Sequence, residues 1–377
     1  MSKKGENIYK RKDGRWEGRY IRSYGENGKP RYGYVYAATY REVKQKLEER
    51  KSCVEDVQIG DIPRFNMSYG EVLNAWLQSV RINIKESTYA RYFRLIETHI
   101  RPALGKYPVC KISTQLVEGV IRDQLNSGRL DGKGGLSPKT VTDILTIIKS
   151  SMEYAKYNGF DIICDLRRLT IKKKDQEMRV LTQAEQSALV NVLLEDTDRY
   201  KFGVLLSLYT GIRIGELCAL RWEDISIPTA TLKVRKTMQR IQDTDVATTT
   251  KTKVIVTEPK SQCSVRDIPL PQFIVDIAEK FVDHPKAFVL SGDKNRYIEP
   301  RTMQNHFKAY VKESKIEDAN YHALRHTFAT RCIEVGFEIK TLSEILGHAN
   351  VNITLNRYVH SSFDLKCANM NKLSLPA

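Results

Sequence analysis

The spacing of apolar residues changes along this chain, and the change limits what the chain can fold into. Residues 31–39 alternate with a period of two, which is typical of a strand with one exposed face. Residues 138–159 carry apolar side chains at helical spacing, whereas residues 231–270 return to short strand-like stretches. No internal repeat is evident. The pattern therefore predicts a multidomain α+β protein with a strand-rich start, a helical middle and a mainly helical end.

The first segment, residues 1–60, is predicted to form three strands and a helix. Strands are expected over residues 15–24 and 31–39, with Tyr32, Tyr34 and Tyr36 on one face, followed by a helix from about Tyr40. Residues 1–50 contain 14 Lys and Arg residues against 7 Asp and Glu residues. A small basic sheet can lie in a DNA major groove, although such charges can also simply solvate a structural sheet. The candidate DNA contacts are Arg15, Arg19 and Arg22.

The second segment, residues 61–165, is predicted to be a four-helix domain. Ser68 and Glu71 form a capping box, and Ser137 followed by Pro138 begins a long fourth helix. A second helix should begin near Ser87 and stop before Pro102. Polar side chains at helix starts suit phosphate contacts, although each alone is more often a solvated surface residue. The candidate contacts are Thr88, Arg91, Arg94, Lys139 and Thr140.

Residues 166–179 are basic and are predicted to be an interdomain linker, after which residues 180–377 form a third domain. Thr182 and Glu185 make another capping box at its start. Helices dominate there, but three stretches between residues 231 and 270 favour the strands of one small antiparallel sheet. Their sequences are TLKVRKTMQRI, TKVIVT and SVRDIPL.

Composition favours a polyanionic partner and excludes several other classes. The chain of 377 residues has a formal net charge of +16, so nucleic acid is the expected partner, against the alternative of a merely basic protein. Its seven cysteines are scattered without a CxxC pair, which argues against a disulfide framework or a zinc site. The N-terminus lacks a signal peptide's apolar core, and no apolar run approaches a membrane span. A cytoplasmic protein without membrane contact is expected.

The third domain carries a set of residues suited to phosphoryl transfer without a metal. Arg213 follows a glycine turn, and Glu216 three residues later is placed to orient it. His322 and Arg325 share one helix face at i and i+3. An activated hydroxyl can attack the phosphorus of a phosphodiester, and paired arginines can neutralise the five-coordinate transition state that results. His322 and His326 could instead suggest zinc, but no third ligand is visible in the sequence.

The ordered series of motifs resembles the signature of the tyrosine recombinases, or phage integrases. These motifs are TGIRIGEL at 210–217, HALRHTFAT at 322–330, LGH at 346–348 and the Arg-Tyr pair at 357–358. Each motif alone is weak, but four in this order, with ten residues from His348 to Tyr358, are specific. The first segment also resembles the arm-type DNA-binding domain of phage and conjugative-transposon integrases, and the second resembles their core-binding domain.

The resemblance assigns a role to each matching residue. It implies that Arg213 and Arg325 grip the scissile phosphate, that His348 adds a hydrogen bond to it, and that Tyr358 forms a 3′-phosphotyrosine. It further implies that His322 assists the loss of the tyrosine proton. Glu216 would support the site, and His326 is interpreted as structural. No metal or organic cofactor is implied.

Lys260 is predicted to be the acid that protonates the leaving 5′ oxygen. It lies in the turn before SVRDIPL, between the second and third predicted strands. Other lysines near it are alternatives for the same role. They are Lys233, Lys236, Lys251 and Lys253.

The resemblance implies a site-specific recombinase that integrates and excises a mobile element. It would bind double-stranded DNA at arm-type and core-type sites and assemble on that DNA as a homotetramer. An excisionase and a DNA-bending host protein would be its accessory partners. A resolvase for DNA dimers shares the chemistry but commonly lacks the arm domain, and a topoisomerase-like enzyme would not need two extra binding domains. A DNA-binding regulator that does not cut is the alternative from another class, and the intact set of site residues argues against it.

Overall fold

The computed structural model describes residues 7–11, 14–24, 30–55, 67–172, 178–244, 251–259, 262–358 and 370. The chain divides into two units, Met1–Lys174 and Asp175–Ala377. The mixed α+β class expected from the sequence is confirmed. The predicted boundaries near residues 60 and 165 stay predictions.

The N-terminal segment is a three-stranded antiparallel sheet with one helix packed on it. Its elements are β1 (Ile8–Lys10), β2 (Trp16–Tyr24), β3 (Pro30–Ala37) and α1 (Tyr40–Glu55), with β2 in the middle. Ile8, Val43 and Leu47 are buried between sheet and helix. A Cβ at Gly18 would lie 2.5 Å from Leu47 Cδ1, so glycine in β2 is what lets α1 pack this closely.

The other face of this sheet is aromatic and basic, as the alternation of β3 predicted. Tyr32, Tyr34 and Tyr36 are exposed there. The Arg19 guanidinium lies 4.4 Å from the centre of the Tyr32 ring, and Arg15 lies 6.0 Å from that of Tyr36. Arg22 belongs to β2, but its side chain is outside the described part of the chain.

The helical segment forms a bundle around one apolar core. Its helices are α2 (Tyr69–Arg81), α3 (Glu86–Leu95), α4 (Arg101–Leu104), α5 (Thr114–Ser127) and α6 (Pro138–Tyr157). The capping box of Ser68 and Glu71 and the cap at Ser137 are both present. In the part of the chain that the structure describes, no helix is long and apolar enough to cross a membrane.

The prediction that Pro102 stops the second helix is wrong. α3 continues through a π-helical turn at Ile96–Ile100 directly into α4, and Pro102 lies in the first turn of α4. A proline is tolerated in a first turn because its missing N–H has no helical acceptor to lose there. In the π turn the hydrogen bonds run from residue i to residue i+5 instead of i+4, and this wider turn directly precedes the proline.

The second unit, from Asp175 onward, is mainly helical. The helices are α7 (Gln183–Leu194), α8 (Arg199–Thr210), α9 (Ile214–Ala219), α10 (Gln272–Glu279), α11 (Pro300–Glu313), α12 (His322–Glu334), α13 (Ile339–Leu346) and α14 (Val351–Tyr358). The predicted capping box of Thr182 and Glu185 opens α7. α8 is buried along most of its length and forms the centre of the main core.

Strands of this unit form two sheets, so the expected single three-stranded sheet is wrong. β4 (Ile225–Ser226), β5 (Thr231–Val234) and β8 (Arg266–Pro269) make one antiparallel sheet. β6 (Thr237–Gln242) and β7 (Thr252–Thr257) make a separate hairpin. The stretch TLKVRKTMQRI breaks between Val234 and Thr237, and its two halves pair with different partners. Local pattern specifies a strand, whereas its partner depends on contacts distant in sequence.

Candidate active site

Gly211 creates the turn that places the first predicted arginine. It ends α8 in the left-handed region, at φ 64°, and a Cβ there would lie 2.5 Å from Phe328 Cδ1. The tight turn brings Arg213 to the N-cap of α9 and leaves the Gly211 carbonyl facing α12. Glycine is required both for the backbone angle and for the close approach of α12.

Arg325 is held in one orientation from three sides. Its guanidinium donates to the Gly211 carbonyl at 2.7 Å and to the Leu346 carbonyl at 2.6 Å, and it contacts His348 Nε2 at 2.9 Å. Burial, followed by the charge of Arg213, lowers the pKa of Arg325 to about 9, so the group stays charged at neutral pH. Main-chain carbonyls fix this cation without neutralising it with a carboxylate of its own.

Glu216 is a buried carboxylate shared by two arginines. It accepts from Arg213 Nη1 at 2.8 Å and from Arg266 Nη2 at 2.9 Å. Burial opposes its charge, but Arg266 and Arg213 together hold its pKa below the usual value. The same carboxylate accepts the Arg213 main-chain N–H at 2.9 Å, so it fixes both the backbone and the side chain of Arg213.

Arg266 is a site residue that the sequence analysis missed. It lies in β8, where residues alternate between buried and exposed, and it takes a buried position in line with Ile268. Besides Glu216 it donates to the carbonyls of Ile345 at 2.5 Å and Ser264 at 2.9 Å. A charged residue on the apolar face of a strand was the available signal, because buried charges need partners.

Replacing Glu216 by Gln is expected to destabilise the protein by about 3–5 kcal/mol, since it leaves the buried Arg266 charge without its partner. The measurement is urea unfolding. Because the folded-state pKa of Glu216 is lowered, its stabilisation is present above the unfolded pKa of about 4.3 and is lost as the pH falls through the folded value. The difference between wild type and Glu216→Gln should therefore shrink in acid.

Glu299→Gln is the matched control for this prediction. Glu299 pairs with Arg240 at 2.5 Å, but both side chains are substantially accessible to solvent. Such a surface pair contributes about 1 kcal/mol or less. Equal losses in the two variants would contradict a special role for the buried network.

His348 follows Gly347, whose left-handed φ of 64° ends α13. Arginine can only donate, so its contact with Arg325 requires His348 Nε2 to accept, and Nδ1–H then donates to Thr354 Oγ1 at 2.8 Å. Burial, together with Arg325 and Arg213, lowers the pKa of His348 to about 3. His348 is therefore neutral at physiological pH and connects Arg325 to α14.

Tyr358 ends α14 and packs into a small apolar cluster with Ala329, Leu342 and Leu346. Its side chain is 7% exposed, and its hydroxyl lies 2.9 Å from His326 Nδ1. Burial raises the pKa of Tyr358, while Arg325 and Arg357 oppose that rise. The candidate nucleophile is thus held against α12 with its hydroxyl at a histidine nitrogen.

His322 begins α12 beside these groups. Its ring packs edge-on against the His326 ring, with 4.6 Å between centres. It also lines a pocket of about 320 Å³ with Ile212, Ile214 and Arg325. Although its side chain is exposed, the surrounding protein and then the charge of Arg325 lower the pKa of His322 to about 4. His322, the predicted partner of the tyrosine, therefore packs against His326, and it is His326 that contacts the Tyr358 hydroxyl.

Lys260 lies outside the described residues. Among the alternatives, Lys233 and Lys236 are exposed, and Lys253 Nζ lies 3.6 Å from Asp243. Within the described ranges, no cluster of His, Cys, Asp or Glu could hold a metal ion.

Comparison with known proteins identifies the family. A family model described as "Phage integrase family" matches residues 179–364, and one described as "Phage integrase, N-terminal SAM-like domain" matches residues 68–123. A tyrosine recombinase of Thermosipho africanus (strain TCF52B) is 30% identical over 258 residues, which cover 66% of this chain and 81% of that protein. The chain belongs to the tyrosine recombinase family. It is an enzyme of DNA cleavage and rejoining, acting in site-specific recombination.

Two further relatives extend over more of this recombinase. A XerC-like tyrosine recombinase of Caldanaerobacter subterraneus subsp. tengcongensis is 26% identical over 360 residues, covering 89% of each chain. The transposase from transposon Tn916 of Enterococcus faecalis is 24% identical over 405 aligned positions, covering 97% of this chain and 93% of that protein.

Solved structures share the fold of the recombinase. The Tn1549 transposon integrase, in complex with a circular intermediate DNA, matches 82% of this chain and all of that chain, with a TM-score of 0.64 and 22% identity. A lambda integrase tetramer bound to a Holliday junction matches 96% of this chain and 99% of that chain, with a TM-score of 0.57 and 14% identity.

Proposed function

We propose that this recombinase is the integrase of a mobile genetic element and acts through a 3′-phosphotyrosine at Tyr358. The observation that carries the proposal is the convergence, in one chain, of two fixed arginine cations with a buried tyrosine hydroxyl. Similarity to a transposon transposase along almost the whole chain, including the N-terminal segment, supports the integrase over a resolvase.

Arg213 and Arg325 would grip the scissile phosphate. The Arg213 side chain is partly exposed and already anchored by Glu216, while Arg325 is anchored by two carbonyls. Preorganised cations stabilise a phosphorane-like transition state without having to reorient during the reaction. The predicted hydrogen bond from His348 to the phosphate would require its Nε2 to be protonated in the DNA complex. In the free enzyme this histidine orients Arg325.

Cleavage would form a bond between the Tyr358 oxygen and phosphorus and break the bond from phosphorus to the 5′ oxygen. Lys260 would give its proton to that oxygen. The phosphotyrosine keeps the energy of the broken bond, so a 5′-hydroxyl of a partner duplex can reverse the step. His322, beside His326, would assist the tyrosine's loss of its proton, and Glu216 would keep Arg213 in place. The reaction needs no metal or organic cofactor.

The aromatic and basic face of the N-terminal sheet would bind arm-type DNA sites. Arg15 and Arg19 lie beside the rings of Tyr36 and Tyr32, which gives a face with cations held at fixed positions. β-sheet readers use such faces in the major groove. Arg22 continues the same strand and remains a candidate contact.

The core-binding candidates meet at two helix starts. Thr88 lies in the first turn of α3, and Thr140 lies in the first turn of α6, where its N–H is bound by Ser137. Arg91 and Lys139 both pair with Asp143, whereas Arg94 is exposed on the same helix as Arg91. These groups would contact phosphates of the crossover core.

Replacing Asp143 by Asn should strengthen DNA binding several-fold, because the carboxylate competes with phosphate for Arg91 and Lys139. Each cation that gains a phosphate contact steepens the dependence of log K on log salt by about 0.9. We expect the slope to steepen by about 1–2 in a gel-shift titration over salt concentration.

Asp131→Asn provides the matched control, since it also removes one negative charge from this segment. Asp131 pairs with Arg129 at 2.5 Å in the loop before α6, whereas Arg91 and Lys139 pair with Asp143. If both variants gain affinity equally, only net charge matters and the assignment of Arg91 and Lys139 is wrong.

On DNA the enzyme would assemble as a homotetramer, because recombination cuts both strands of two duplexes. The fold similarity to the lambda integrase tetramer bound to a Holliday junction is compatible with that assembly. An excisionase and a DNA-bending host protein would be accessory partners. We place the enzyme in the bacterial cytoplasm, bound to the nucleoid when on DNA.

The deciding experiment uses a nicked duplex spanning the junction of the element that carries this gene. The nick releases a short fragment after cleavage and traps the covalent complex. We expect a protein–DNA adduct that survives detergent and maps to Tyr358 by peptide mass. Binding without an adduct would favour the regulator that does not cut. Adduct formation together with recombination that is limited to directly repeated sites on one circular DNA would favour the resolvase.

A further inference from the structure

We propose that His326 is a catalytic residue of the strand-cleavage reaction, accepting the Tyr358 proton at Nδ1. This inference rests on the proposed function of Tyr358. It differs from the role that the sequence analysis gave to His326, which was structural: His326 is the direct proton acceptor, and His322 assists from beside its ring.

The geometry of the pair carries the inference. His326 Nδ1 lies 2.9 Å from the Tyr358 oxygen, within the distance over which a proton passes directly. Both side chains are buried, at 7% exposure each, so bulk water does not compete for the hydroxyl. The two rings are tilted by 48°, with 5.7 Å between centres, so they do not stack face to face, and the contact runs from the nitrogen to the hydroxyl.

The protonation states of the free enzyme suit this direction of transfer. Burial, and then His322, lowers the pKa of His326 to about 4, so the ring is neutral and one nitrogen is free to accept. Burial raises the pKa of Tyr358, so the hydroxyl keeps its proton until it reacts. A neutral histidine paired with a protonated tyrosine is the resting state that a general base requires.

The charges around His326 explain why the base stays inactive without DNA. On its own helix the ring faces His322 and Arg325, and from α14 it faces Tyr358 and Arg357. Positive neighbours oppose a second positive charge on the imidazole. A DNA phosphate held by Arg213 and Arg325 would bring negative charge beside them, which favours the protonated imidazole.

Bonds and protons are conserved in the proposed step. As the Tyr358 oxygen bonds to phosphorus, its proton moves to His326 Nδ1, and the 5′ oxygen leaves with a proton from the separate acid. In rejoining, a 5′-hydroxyl attacks, and His326 returns the proton to the tyrosine oxygen as it leaves. One residue therefore serves as base and then as acid on the same oxygen.

The test compares His326→Asn with His326→Ala in single-turnover cleavage of the nicked duplex from pH 5 to pH 9. Asparagine can keep a hydrogen bond to the hydroxyl but cannot take a proton. We expect both variants to slow adduct formation by about 10²- to 10⁴-fold, the usual contribution of a general base. Added imidazole should rescue His326→Ala, with a rate that depends on imidazole concentration.

His306→Asn is the matched control, because His306 also contacts a tyrosine, stacking on Tyr200 at 4.1 Å between ring centres, and Tyr200 is not the proposed nucleophile. It should cleave at the wild-type rate.

A second substrate carries sulfur in place of the bridging 5′ oxygen, so its leaving group needs no acid. The His326→Asn defect should persist on this substrate.

The outcomes separate this inference from the function it rests on. No adduct at Tyr358 in the wild type would overturn the proposed function itself. A normal wild-type adduct, with His326→Asn cleaving at near wild-type rate, would leave His326 as a structural tether and overturn the inference. Loss of the defect on the sulfur substrate would place His326 at the leaving group, which also overturns it.

Discussion

Tyr358→Phe is expected to form no covalent adduct with DNA, while its affinity for the same duplex stays within about twofold of wild type. Phenylalanine keeps the ring in its apolar cluster but removes the oxygen that would attack phosphorus. The measurement pairs a denaturing-gel adduct assay with a gel shift on one nicked duplex. The lost hydrogen bond to His326 should also lower stability by about 1–3 kcal/mol, because a buried ring nitrogen loses its partner.

The control for this variant is Tyr310→Phe, which removes a hydroxyl from another buried tyrosine in the same unit. It should cleave normally. An adduct that persists in Tyr358→Phe would assign the nucleophile to another residue. Equal loss of adduct and of binding would indicate that Tyr358 supports the DNA-binding surface instead.

Arg325→Lys is expected to slow adduct formation by about 10²- to 10³-fold, with DNA binding largely retained. A lysine keeps the charge, but one ammonium cannot copy a planar fork that donates to two carbonyls and also reaches a phosphate. The measurement is the single-turnover rate at saturating enzyme, which separates the chemical step from binding.

Arg199→Lys is the matched control for this second variant. Arg199 also donates to a main-chain carbonyl, that of Phe281 at 2.9 Å, and pairs with Asp283, but it belongs to the start of α8. It should lose some stability and no catalytic rate. If Arg325→Lys also loses only stability, the bonds of Arg325 to Gly211 and Leu346 support the fold, and the proposed contact of Arg325 with the phosphate is wrong.

The order of short motifs in the sequence was sufficient to identify the chemistry. The turn at Gly211, the i and i+3 spacing of His322 and Arg325, and the glycine before His348 are local features, and each stands in the structure where the spacing placed it. Capping residues likewise predicted the starts of α2, α6 and α7, because a cap is a bond between neighbours in sequence. The assignment of Lys260 stays a prediction.

Contacts between segments that are distant in sequence could not be predicted from local patterns. Arg266 was missed because its partners, Glu216 and the Ile345 carbonyl, are 50 and 79 residues away. The pairing of β5 with β8 and of β6 with β7 also depends on which strands meet after the chain folds. Periodicity records which face of an element is buried, but not what buries it.

The sequence by itself determined the class of enzyme and the capped starts of α2, α6 and α7, and it predicted which residues carry the family's chemistry. The tertiary structure decided which of those residues touch: α12 and α14 bring His326, not His322, to the Tyr358 hydroxyl. The physical reason is that a helix fixes only the angle between successive side chains. Which of two histidines one turn apart meets the tyrosine depends on how another helix packs across them.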